Sequence, residues 1–148
     1  MTAYSRRLMY ALGYAGLIPF LAFTLGIWFF DNYLQAVSLR GFIVYSLAIL
    51  CFLAGTLWGS AMRYPGRAKL LRLVISNGIV VFAAVAVLVA QPVVCAFLLM
   101  LAYLATLWYE RSSGEEEGWY LQMRSRLTTV AVVLHLLFMI GLVVRNGV

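Results

Sequence analysis

The stretch LLRLVISNGIVVFAAVAVLVAQPVVCAFLLMLAYLATLWY, Leu70 to Tyr109, contains a single charged side chain, Arg72. Gln91-Pro92 divides it into two apolar runs, Leu70–Ala90 and Val93–Tyr109. At about 1.5 Å per helical residue, runs of about 17 to 25 residues cross a hydrocarbon core of about 30 Å. A strand of a transmembrane barrel would alternate apolar with polar residues, and Ile79–Ala90 does not. With so short a connection the two runs predict an antiparallel helical hairpin of neighbouring spans.

Outward from this hairpin the same pattern recurs at Leu8–Phe30, Gly41–Met62 and Leu127–Val144, which makes five spans in 148 residues. The chain is 65% hydrophobic and 11% charged, against about 25% charged in soluble domains, so most of its surface must meet something other than water. That excludes disorder, a disulfide scaffold and a soluble enzyme domain. The expected fold is all-α: one transmembrane domain over residues 1–148, a five-helix bundle. Arg6 and Arg7 precede an apolar run too long for a signal peptide, so the first span is expected to be retained.

Nine basic residues, Arg6, Arg7, Arg63, Arg67, Lys69, Arg72, Arg111, Arg124 and Arg126, fall on one side of these spans, and two, Arg40 and Arg145, on the other. By the positive-inside rule the N-terminus lies inside and the C-terminus outside, as in a bacterial inner membrane. The net charge of +6 therefore marks topology, and no basic face suited to nucleic acid is present. Tyr64-Pro65-Gly66 makes a turn between the second and third spans. Around it, Arg63, Arg67, Lys69 and Arg72 are expected to anchor on anionic lipid headgroups, with Arg72 snorkelling from its span. The loop from Glu110 to Gly118 holds the consecutive acids Glu115, Glu116 and Glu117, which point in different directions and suit a solvated loop better than a cation site. Trp108-Tyr109 and Trp119-Tyr120 belong at the headgroup interface.

Chemistry-bearing residues are scarce. His135 is the one ionisable side chain expected deep in a span, and such a residue raises a functional hypothesis by default. Depth counted from the inner boundary places Tyr14, Thr56, Asn77, Tyr103 and His135 in a common polar layer, at about 10 Å. This layer reads either as hydrogen-bonded packing at about 0.6 kcal/mol per contact or as a hydrated vestibule of a small transporter or channel. With one histidine there is no bis-imidazole pair for haem, and Met9, Met62, Met100, Met123 and Met139 are scattered. Cys51 and Cys95 lack the spacing of a metal or redox pair. No metal, cofactor or catalytic residue is assigned, and an enzyme is not expected.

Packing signals are stronger. Cys51, Gly55 and Gly59 recur every four residues, a small-residue stripe that lets another helix approach closely. Gly13 and Gly16, and Ala22 and Gly26, offer similar surfaces on the first span, either inside the bundle or at an oligomer or partner interface. Pro19 is expected to kink the first span and free carbonyls near Ala15 for a neighbouring polar side chain.

Three segments, LGYAGLIPF at residues 12–20, FLAGTLWG at 52–59 and WYLQMR at 119–124 followed by Leu127-Thr128, resemble the transmembrane protein 69 family, also described as a domain of unknown function. The resemblance extends over nearly the whole chain and implies a small helical membrane protein without an established activity. The family's second segment often carries a histidine before its tryptophan, where this chain has Leu57. The function expected is that of an accessory or scaffold protein that packs with a larger membrane complex or with itself, the alternative being transport through the polar layer around His135.

Overall fold

The computed structural model describes residues 3–113 and 118–146. Glu115, Glu116 and Glu117, expected in a solvated loop, lie outside the described residues. Six helices follow one another: α1 (Ala3–Ala15), α2 (Ile18–Phe29), α3 (Asn32–Ala61), α4 (Gly66–Val89), α5 (Pro92–Ser113) and α6 (Gly118–Asn146). With α1 and α2 taken together, five of these segments are long and apolar enough to cross a membrane.

The break between α1 and α2 is the one expected from Pro19. Without an N–H at Pro19, the helix cannot continue its ladder across this point, and it reopens at Gly16-Leu17. The carbonyl of Gly16 is rescued from α3, where the Tyr45 hydroxyl donates to it at 2.8 Å. Inside a bilayer an unsatisfied carbonyl would be costly, so Tyr45 holds the break in place.

Each of the five membrane segments begins before the apolar window that announced it. The second span was expected from Gly41, yet α3 begins at Asn32; the last was expected from Leu127, yet α6 begins at Gly118. Hydropathy ends a window at a charge, whereas a helix ends only where its hydrogen bonds or dihedrals fail. Arg40, Glu110 and Arg124 are compatible with helix and so lie within it. Reversals occur instead at backbone signals. Asn32, with φ of 50°, turns the chain from α2 into α3, and Gly66, with φ of 55°, follows Pro65 into α4.

Packing is closest where glycines permit it. Gly26 of α2 faces Ser38 of α3, and Gly41 of α3 faces Phe23, so a Cβ added at either glycine would collide with its neighbour. At Gly141 of α6 an added Cβ would lie 2.9 Å from Trp28 Nε1, and that indole donates to the Leu137 carbonyl at 3.1 Å. Thus α2 lies tightly between α3 and α6, with Gly26 inside the bundle. The interior is aromatic at its middle: Phe42 stacks on Phe138 at 3.9 Å between centroids, and Phe20 meets Phe42 edge-on at 5.3 Å. At the C-terminal end, Arg145 ties α6 to Asp31 and to the Trp28 carbonyl.

Candidate functional site

Polar side chains cluster at two levels within this apolar frame. The first is the centre of the bundle. His135 has no exposed surface, and its Nδ1 lies 2.8 Å from the Ala131 carbonyl while its Nε2 lies 2.8 Å from Ser46 Oγ. A carbonyl can only accept, so Nδ1 carries the proton, and in the neutral ring Nε2 must accept from the Ser46 hydroxyl. The Tyr103 hydroxyl in turn donates to the Ser46 carbonyl at 2.8 Å. One network thus joins α3, α5 and α6, capped by Phe20 and Phe42 at 5.5 and 4.8 Å from the imidazole centroid.

The five residues expected in a common layer are distributed differently. His135 and Tyr103 meet at Ser46. Thr56 donates within its own helix to the Leu53 carbonyl, and Asn77 does the same to Leu73 from an exposed position on α4. Tyr14 is 42% exposed on α1. The depth count began at Leu127, but α6 begins nine residues earlier, so His135 stands near the helix midpoint, opposite the midpoint of α3. Ser46 was missed because a lone serine in a span carries no signal; only its register against His135 gives it a partner.

The second level lies towards the N-terminal face and is hardly visible in the sequence. Glu110 belongs to α5 rather than to a loop and is 2% exposed; Arg124 of α6 is 4% exposed. Arg124 Nε donates to Glu110 Oε2 at 3.0 Å, and Nη2 lies 3.0 Å from the same oxygen without being aligned for a hydrogen bond. Arg72 does not snorkel to headgroups. At 1% exposure it sits inside the bundle, donating to Ser60 Oγ at 3.0 Å and to Ser113 Oγ at 3.3 Å, with its guanidinium 4.1 Å from the centre of the Tyr64 ring. This placement corrects its reading as a headgroup anchor. The arginine is held by α3, α5 and the turn at Tyr64 because a guanidinium offers five donors and a flat face for an aromatic ring. Arg63 and Arg67 are exposed, and Lys69 is partly so.

The stripe on α3 faces away from the bundle. Cys51 is partly exposed, Gly55 and Gly59 are exposed, and a Cβ added at either glycine would meet nothing within 4 Å. Asn77 lies at the same depth, because the Ser76 hydroxyl beside it donates to the carbonyl of Ala54, beside Gly55, at 2.6 Å. Leu57, where the resembling family often has histidine, is buried at 2% exposure.

Together these features define a multi-pass helical membrane protein with polar groups clustered inside its bundle. The chain belongs to a family described as proteins of unknown function (DUF3429), which it matches over residues 5–140. No curated protein and no solved structure matches it.

Proposed function

We propose that this protein is an accessory or scaffold subunit of a bacterial inner membrane, acting by packing its α3 face against another transmembrane helix, of a larger complex or of a second copy. The observation that carries this reading is the open surface at Gly55 and Gly59, two exposed glycines one helical turn apart, where an added Cβ would meet nothing within 4 Å among the described residues. Glycine in a helix costs up to about 1 kcal/mol relative to alanine, and between helices in lipid it returns that cost by letting backbones approach. Asn77 at the same depth adds an amide facing lipid, a position that favours a partner able to bond it.

The central network supports packing rather than transport. The Ser46 hydroxyl, Tyr103 hydroxyl and His135 Nδ1 all spend their hydrogens on partners within the bundle. The distribution of basic residues supports an N-terminus inside and a C-terminus outside, with Arg63, Arg67 and Lys69 at anionic headgroups. Purification in mild detergent with endogenous partners, followed by mass spectrometry, tests the proposal. A reproducible membrane-protein partner or a defined oligomer is expected, and recovery as a homogeneous free monomer would contradict it.

A further inference from the structure

α1 stands apart from the rest of the bundle. It leans on α6, where Tyr10 and Arg6 meet the Trp119 ring at 6.2 and 5.2 Å, and it makes no substantial contact with α3 among the described residues. Between α1, α3 and α6 lies a cavity of about 400 Å³, within the range of about 300 to 1,000 Å³ typical of small-molecule sites. Its walls run along α6 from Arg124 to Ala131 and along α1 and α2 from Met9 to Phe20. At about 1.5 Å per residue these are lengths of about 10 and 16 Å, close to one leaflet of a core about 30 Å thick. Divided by these lengths, the volume implies a cross-section on the order of 25 to 40 Å². It is wide enough for a single hydrocarbon chain.

Apolar side chains line most of this cavity, but its end towards the N-terminal face is polar. There Arg124 lies beside Glu110, its buried Nη2 3.0 Å from Oε2 but making no aligned hydrogen bond, and Thr128 is buried one turn further along α6. A donor left unsatisfied in a medium of low dielectric attracts any acceptor strongly. Arg124 is the seventh residue of a 29-residue helix, which at about 43 Å overhangs the hydrocarbon by several ångströms at each end. This places its guanidinium near the junction of headgroup and chain, where a lipid carries its carboxylate or ester.

We infer that this cavity binds one acyl chain of a lipid from the leaflet on the N-terminal side, with the carboxylate or ester carbonyl of that chain bonded by Arg124 and Thr128. Neither Gly55 nor Gly59 lines this cavity, whose walls come from α1, α2 and α6 together with Ile49, Phe52, Leu53 and Thr56 of α3, so the inference does not rest on the association proposed for the glycines. A free fatty acid and a glycerolipid share the recognised chemistry.

The test uses the full chain in phosphatidylcholine vesicles containing one of three photoreactive probes: a hexadecanoic acid, a phospholipid bearing the same chain, or the plain alkane, each with a diazirine at the fourth carbon of the chain, within reach of Leu127 when the carboxyl end is held at Arg124. Peptide mass spectrometry then maps adducts after irradiation. The acid or the phospholipid is expected to label Leu127 about tenfold more than the alkane does, the ratio of one well-directed charge-assisted hydrogen bond. Stronger labelling by the acid identifies a free carboxylate as the ligand, and stronger labelling by the phospholipid identifies a membrane glycerolipid. Filling the cavity with Thr56→Phe, or from α1 with Leu12→Trp, should remove labelling at Leu127 while leaving that of the outward Val81 unchanged. Thr128→Val should lower the preference over the alkane. Equal labelling by all three probes, or labelling at Leu127 that survives both filling variants, would overturn the inference.

Discussion

Replacing Glu110 by glutamine would leave the Arg124 guanidinium inside the bundle beside a neutral amide. Both partners are almost wholly buried, and two nitrogens of Arg124 lie 3.0 Å from one carboxylate oxygen. Breaking a buried ion pair from one side costs about 3 to 5 kcal/mol, because the remaining charge has lost its compensation. Arg124→Gln strands the carboxylate and should cost a similar amount. The double variant carries neither charge, so its loss should fall below the sum of the two singles by about 2 kcal/mol or more. At about 3 °C per kcal/mol for a chain of this length, each single change should lower the melting temperature by about 10 °C, and the double variant should recover part of that. Melting in detergent, followed by tryptophan fluorescence or aggregation, reads all four proteins. A single variant within about 0.5 kcal/mol of the parent, or strict additivity, would refute the buried pair.

The central network makes its own predictions. Ser46→Ala leaves His135 Nε2 buried without a donor and should cost about 1 to 3 kcal/mol, whereas Tyr103→Phe removes only one donor to an already helical carbonyl and should cost about 1 kcal/mol; thermal melting distinguishes them. Tyr45→Phe frees the Gly16 carbonyl and should speed amide exchange around Gly16 and Leu17 more than elsewhere in α1 and α2, a difference that hydrogen-exchange mass spectrometry resolves. Gly41→Ala should destabilise the chain by about 1 to 3 kcal/mol, since its Cβ meets Phe23; Gly55→Ala should leave the monomer unchanged or more stable by up to about 1 kcal/mol.

The five membrane segments were legible because each rests on a long run without charge, and the break at Pro19 because a missing N–H has one consequence. Element ends were less legible. Glu110 and Arg124 look like loop residues in a hydropathy profile, yet each neutralises the other inside the bundle, and that pairing exists only once α5 and α6 are side by side. Arg72 was misplaced for the same reason: a snorkelling arginine and one stacked on Tyr64 have identical local sequence. The polar layer depended on counting residues from boundaries set by charge, and an error of nine residues at α6 exchanged Ser46 for Thr56 as the α3 residue level with His135. Glycine stripes posed a different difficulty. Gly26 and Gly41 serve the interior and Gly55 and Gly59 face outward, a distinction that spacing does not contain.

The packing role stands or falls on that outward surface. In the monomer, leucine at positions 55 and 59 meets open space and replaces two poor helix formers, so Gly55→Leu/Gly59→Leu should melt no lower than the parent. In an assembly the same side chains would hold a neighbouring helix away from the backbone of α3. The decisive measurement is the mass of the protein extracted in mild detergent, by light scattering against the 16.5 kDa of one chain. The parent is predicted to run as an oligomer or with a partner, and the double variant as a free monomer of undiminished stability. A parent that is already a free monomer, or a variant that keeps the parent's assembly, would contradict the account.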